Sequence, residues 1–184
     1  MTFLALLWLP ILLSAVLVFI LSAASHMAVP YRIKEWSAAP GQDVLQKTLA
    51  EARPGLYVFP SPDSSLERGK AEWMKKWAEG PSAFLTLVPR GPLSMGRNLG
   101  LSFLLNLFVS LLAAYVAHHA LVGPHRYLAV FRLVGTIGFA AYSIGTVYES
   151  IWYWRPWKSI AMNVLDALIF GLAMGGVFGW LWPR

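Results

Sequence analysis

The sequence predicts a membrane all-α protein: a four-helix transmembrane bundle with a small α+β extramembrane insertion between helices 1 and 2. Three observations carry that reading. Of 184 residues, 57% are hydrophobic and only 13% are charged, whereas an ordinary soluble domain carries about a quarter charged residues. Four long apolar runs punctuate the chain, and mean hydropathy is +0.55. The charges are also segregated. Seven of the nine acidic residues lie between Glu35 and Glu79, and ten of the fifteen basic residues lie between Arg32 and Arg97. The flanking stretches are nearly bare of charge, which is the partition a bilayer imposes.

Helix 1 is expected within residues 1–24, where the apolar run Thr2 to Ala24 contains Trp8 and Pro10. At about 1.5 Å per residue such a run crosses a hydrocarbon core about 30 Å thick. The small residues Ser22, Ala23 and Ala24 would suit a cleaved signal. However, no basic residue precedes the run, and it exceeds the roughly 7–15 apolar residues of a signal. An uncleaved helix is the expectation.

Residues 25–98 form the extramembrane insertion. Gln42 to Ala52 places Leu45 and Leu49 four apart with Lys47 and Glu51 on other faces, a short amphipathic helix stopped by Pro54-Gly55. Leu56 to Phe59 is a strand candidate closed by Pro60-Ser61-Pro62. A second helix is expected from about Ser64 to Glu79, with Leu66, Trp73, Met74 and Trp77 sharing a stripe. Gly80-Pro81 ends it, and Ala83 to Val88 is a second strand candidate. Some 70 residues give a thin core, so the insertion is expected to lean on the membrane helices or on a partner.

Residues 99–184 hold the remaining spans, at about 99–121, 127–148 and 160–182. A turn at Gly123-Pro124-His125-Arg126 and a connection from Ile151 to Lys158 separate them. Connections this short make the three helices antiparallel neighbours. Arg32, Lys34, Arg90, Arg97, Arg155 and Lys158 flank one membrane face, against Arg126, Arg132 and Arg184 on the other. The excess of basic residues marks the cytoplasmic face. The expectation is a multi-pass protein of the bacterial inner membrane with a cytoplasmic insertion and both termini outside.

Several functional classes drop out. The net charge of +6 follows from the cytoplasmic basic excess, and no basic patch interleaved with stacking aromatics points to nucleic acid. Without a cysteine there is no thiolate chemistry or Cys-ligated metal. H-E-x-x-H, G-x-S-x-G and Walker signatures are absent, and nothing names a cofactor.

Four sets of residues remain. Ala167, Gly171, Gly175 and Gly179 repeat every four residues, and Gly135 and Gly138 give helix 3 a comparable small surface; such ridges let helix backbones approach. Helices 3 and 4 of the same chain are the expected pair. Trp152, Trp154 and Trp157 on one side, with Trp180 and Trp182 on the other, read as interfacial anchors. Asp166 lies about two turns into helix 4, with Asn163 nearly one turn before it and Asn106 at comparable depth on helix 2. A carboxylate there requires pairing or protonation. The three form a candidate ligand or proton-handling site; the alternatives are a structural hydrogen-bonded clasp, or Asp166 reaching toward Lys158, Arg155 or the interface. His118, His119 and His125 cluster at the opposite face, where imidazoles can bind a metal, although His118 and His119 point about 100° apart on a helix.

His26-Met27-x-x-Pro30-Tyr31-Arg32, Met95-Gly96-Arg97, Phe131-Arg132-x-x-Gly135-Thr136, Ile151-Trp152, Pro156-Trp157 and Phe178-Gly179-Trp180-Leu181-Trp182-Pro183 together resemble a family of small uncharacterised bacterial integral membrane proteins. The resemblance implies no activity and transfers no residue roles. The leading expectation is an accessory or assembly subunit in the lipid bilayer, acting through helix packing and its cytoplasmic insertion on a protein partner or a second copy. The alternatives are a proton-linked carrier or small-ligand-binding membrane protein using Asp166, and a membrane enzyme or metal protein using His118, His119 and His125.

Overall fold

A computed structural model describes residues 3–62, 70–121 and 126–183. The elements in chain order are α1 (Phe3–Ala28), α2 (Pro30–Ile33), α3 (Gln42–Thr48), β1 (Gly55–Phe59), α4 (Ala71–Glu79), β2 (Ala83–Leu87), α5 (Met95–Ala120), α6 (Tyr127–Tyr153) and α7 (Trp157–Leu181). The chain is mostly helical, and four helices, α1, α5, α6 and α7, are long and apolar enough to cross a membrane. It divides into two units, one made of Met1–Ser37 with Ser94–Arg184, the other of Ala38–Leu93.

In the first unit the four long helices run past the apolar stretches that mark them. α1 continues to Ala28 rather than Ala24, α5 starts at Met95 rather than Leu99, and α6 continues to Tyr153. A helix satisfies its backbone hydrogen bonds internally, so it need not stop where hydrophobicity stops. The connection between α6 and α7 shrinks to Trp154, Arg155 and Pro156. Trp154 takes a left-handed conformation (φ 56°) that ends α6, an unusual one for a bulky residue. Two contacts brace it: the Arg155 N–H donates to the Glu149 carbonyl at 3.2 Å, and the Ser150 hydroxyl donates to the Arg155 carbonyl at 2.6 Å. Pro156, which lacks an N–H to waste, then opens α7.

α6 and α7 make the most extensive helix pair, α1 packs on α5 and α7, and α5 completes the ring against α6. The interior is filled by Leu7, Ile11 and Val18 of α1, Val109 and Ala113 of α5, Val130 and Val134 of α6, and Phe170, Met174 and Phe178 of α7. Outward-facing Leu12, Leu104, Phe108, Ile144, Leu168 and Leu172 stay exposed. An apolar exterior on this scale is unfavourable in water and suits a lipid surround.

Glycines set the α6–α7 seam. A Cβ placed on Gly171 would lie 2.6 Å from the Gly135 carbonyl oxygen, and one on Gly175 would lie 2.7 Å from that of Phe131. On Gly179 it would meet the Tyr127 ring at 2.8 Å, and on Gly138 the Met174 sulfur at 2.9 Å. Backbone therefore lies directly on backbone, where dispersion and Cα–H contacts hold the pair.

In the second unit β1 and β2 pair antiparallel, from Gly55 opposite Leu87 to Phe59 opposite Ala83. α4 lies against this hairpin through Trp77, whose ring centroid is 5.7 Å from that of Phe84, while the Trp73 indole N–H donates to the Pro60 carbonyl at 3.1 Å. The expected start of this helix near Ser64 lies outside the described residues. α3 is shorter than its apolar spacing suggests. After Thr48 the chain tightens into turns, with the Ala52 N–H on the Leu49 carbonyl, ahead of Pro54, which disfavours helix in the residue before it. None of the described residues from Ala38 to Leu93 is buried. This hairpin and its short helix therefore enclose no buried core among the described residues.

Candidate functional site

The polar centre of the first unit is assembled around Asp166. Nine residues after Trp157 along α7, it lies about 14 Å from the start of that helix, and only 10% of its side chain is exposed. A carboxylate at this depth is costly unless it is paired and hydrogen-bonded. Both conditions are met. The Arg32 Nη2 donates to Asp166 Oδ2 at 2.7 Å, and the Ser25 hydroxyl donates to the same oxygen at 2.8 Å.

Arg32 arrives there because the chain does not leave the bundle at the end of α1. It turns at Val29-Pro30, where Pro30 has the fixed φ that suits a helix start, and forms the single turn α2. The Arg32 N–H is held on the Val29 carbonyl at 3.0 Å. The guanidinium is 3% exposed; its second arm, Nη1, donates to Glu35 Oε2 at 3.3 Å, and its Nε is buried without an acceptor. Glu35 in turn accepts from the Ser159 hydroxyl in the first turn of α7. That bond, together with the Arg32 and Arg155 charges, outweighs desolvation and holds the Glu35 carboxyl below its ordinary value of 4.5. An anion beside the first turn of a long helix is also favoured by the helix dipole. Arg155 is itself ion-paired with Glu149. Charges thus alternate in the order Asp166, Arg32, Glu35, Arg155, Glu149, three acids to two bases.

The residues singled out from the sequence are distributed as follows. Among the described residues no hydrogen bond joins Asp166 to Asn163 or Asn106. Asn163 is half-buried on α7. Asn106 is buried on α5, and its Oδ1 accepts from the Tyr142 hydroxyl of α6 at 3.0 Å. The cation that Asp166 meets is Arg32, further back along the chain. Arg32, Ser25, Glu35 and Ser159 are the members that sequence reasoning did not assemble. The available signal was that Arg32 follows directly on the first apolar run, on the same side as a buried acid in need of a cation.

His118 and His119 lie at the end of α5 with ring centroids 5.2 Å apart, and Phe3 rests against both. The His119 Nδ1–H donates to the Tyr115 carbonyl at 2.8 Å. His125 lies outside the described residues, and among the described residues no three His, Asp or Glu side chains gather as a metal centre would require. Trp152, Trp154, Trp157 and Trp180 are exposed, and Trp182 is partly buried against the core. An open groove of about 490 Å³ runs between α1 and α7, lined by Leu17, Leu172, Gly176 and Trp180 with Tyr127 of α6 at one end. Its walls are almost wholly apolar and offer no acid–base pair for chemistry. No family model matches the chain, and no curated protein or solved structure matches it.

Proposed function

We propose that the chain is a multi-pass integral membrane accessory or assembly subunit whose extramembrane unit completes its fold on a protein partner. The observation that carries this reading is the absence of any buried residue among those described from Ala38 to Leu93. Val44, Leu56, Met74, Val88 and Leu93 are each more than half exposed. With β1 and β2 forming a two-stranded sheet among the described residues, such a unit gains much of its stability by association. Asp166 supports the same reading from the other unit. Matched by Arg32 and Ser25, it suits a tie between α7 and the α1–α2 connection better than an open proton acceptor.

The orientation belongs to this proposal. Arg32, Lys34, Arg90, Arg97, Arg155 and Lys158 against Arg126, Arg132 and Arg184 put the extramembrane unit in the cytoplasm and both termini outside, in a bacterial inner membrane. Extraction in a mild detergent, followed by native mass measurement and identification of the bound chains, tests the function. A discrete complex of defined stoichiometry is expected. A stable solitary monomer with measurable transport or catalytic activity would refute the subunit.

A further inference from the structure

The segment between α1 and the extramembrane unit is held in an unusual way. Within residues 29–36 the Arg32 guanidinium pairs with Asp166, about two and a half turns into α7, at 2.7 Å, and Glu35 feels Ser159 in the first turn of the same helix. Their apolar side chains contribute little to this, since Ile33 and Trp36 are exposed, as is Met27 just before them. Among the described side chains of the segment, only that of Arg32 is buried. A segment anchored by apolar burial loses a small part of its hold when one contact goes, whereas one anchored by charge loses most of it.

The electrostatic hold is also imperfect. Two acids share one guanidinium, and among the described residues the Arg32 Nε has no acceptor. Desolvation offsets much of the attraction in a buried ion pair, so such pairs are strong only when every donor is satisfied. This one is not.

We infer that residues 29–36 form a charge-held strap over the start of α7, closed while Arg32 is paired with Asp166 and open when that pair is broken. Opening bares Ser159, which is 3% exposed in the closed form, and leaves Asp166 facing water at that end of the bundle.

The chain has no cysteine, so Ser159→Cys in the full-length protein provides a single thiol for a membrane-impermeant maleimide, and Ser14→Cys, deep in the bundle at 0% exposure, provides a control. In reconstituted liposomes the thiol at position 159 is expected to label slowly. Adding Arg32→Gln should accelerate it by at least about tenfold, as expected for a local opening freed of its buried pair, and the exchange Arg32→Asp with Asp166→Arg should restore most of the protection. The control thiol should stay unlabelled throughout. Equal rates with and without Arg32→Gln would overturn the strap. Labelling at position 14 as well, or no recovery on charge exchange, would also overturn it by showing a general loosening of the bundle.

Discussion

At the residue scale the decisive fact is that the buried Asp166 is matched by the Arg32 guanidinium at 2.7 Å. Removing one member of a buried pair leaves the other charge unmatched, which costs about 3–5 kcal/mol. Arg32→Gln is therefore expected to lower the unfolding free energy in detergent by about that amount. Asp166→Asn should cost less, because Arg32 keeps Glu35 as a counter-ion at 3.3 Å. Replacing both with apolar residues, Arg32→Met and Asp166→Leu, should recover most of the loss. Denaturation of the three variants checks the order, and a double variant as unstable as Arg32→Gln would count against the pairing. The sequence shows that a buried acid exists at position 166, because depth along an apolar run is a matter of counting. It does not show the partner, because α2 is a single helical turn that folds back by tertiary contact rather than by any periodic pattern. Asn106 illustrates the same limit: its depth is legible, but its bond to Tyr142 depends on how α5 meets α6.

At the scale of elements, the α6–α7 seam discriminates between neighbouring glycines. Gly175→Ala and Gly171→Ala drive a methyl group into backbone at 2.7 and 2.6 Å, and each should destabilise the chain by about 1–3 kcal/mol through overpacking. Gly176→Ala meets nothing nearer than the Tyr127 hydroxyl at 3.9 Å and should be close to neutral. Melting in detergent separates the two cases. The spacing of Ala167, Gly171, Gly175 and Gly179 makes this seam visible in the sequence, because a four-residue repeat keeps one helix face. Helix ends are less visible, since the left-handed Trp154 and the bracing Ser150 give no compositional mark. The strap carries a pH prediction. Folding lowers the Glu35 value, so its contribution to stability is complete above the ordinary carboxylate range and disappears as pH falls through the lowered value. The melting temperature of the parent chain should exceed that of Glu35→Gln at neutral pH, and the gap should narrow as pH falls below the ordinary carboxylate value and close only below the lowered one. A gap independent of pH would assign the effect to packing.

At the scale of the whole molecule, two units of contrasting character share one chain. The four long helices carry a closed apolar interior and an apolar exterior. Single cysteines introduced at exposed Arg126 and at Arg53 allow the proposed orientation to be read by labelling spheroplasts and lysed membranes; position 126 should react in spheroplasts and position 53 only after the cytoplasm is opened. The length of the stretch already signals a thin core, because the unit Ala38–Leu93 is too short to enclose a large one. Its partner is not legible, because an exposed surface specifies shape and hydropathy but not the identity of what covers it.

The most direct test of the account is amide hydrogen exchange at β1 and β2, residues 55–59 and 83–87, compared between native membranes and the purified chain in liposomes of the same lipids. A subunit that completes its fold on a partner should show the hairpin protected in native membranes and rapidly exchanging in the purified chain. Equal protection in the two preparations would contradict the account, because the chain alone would then suffice to hold its extramembrane unit together.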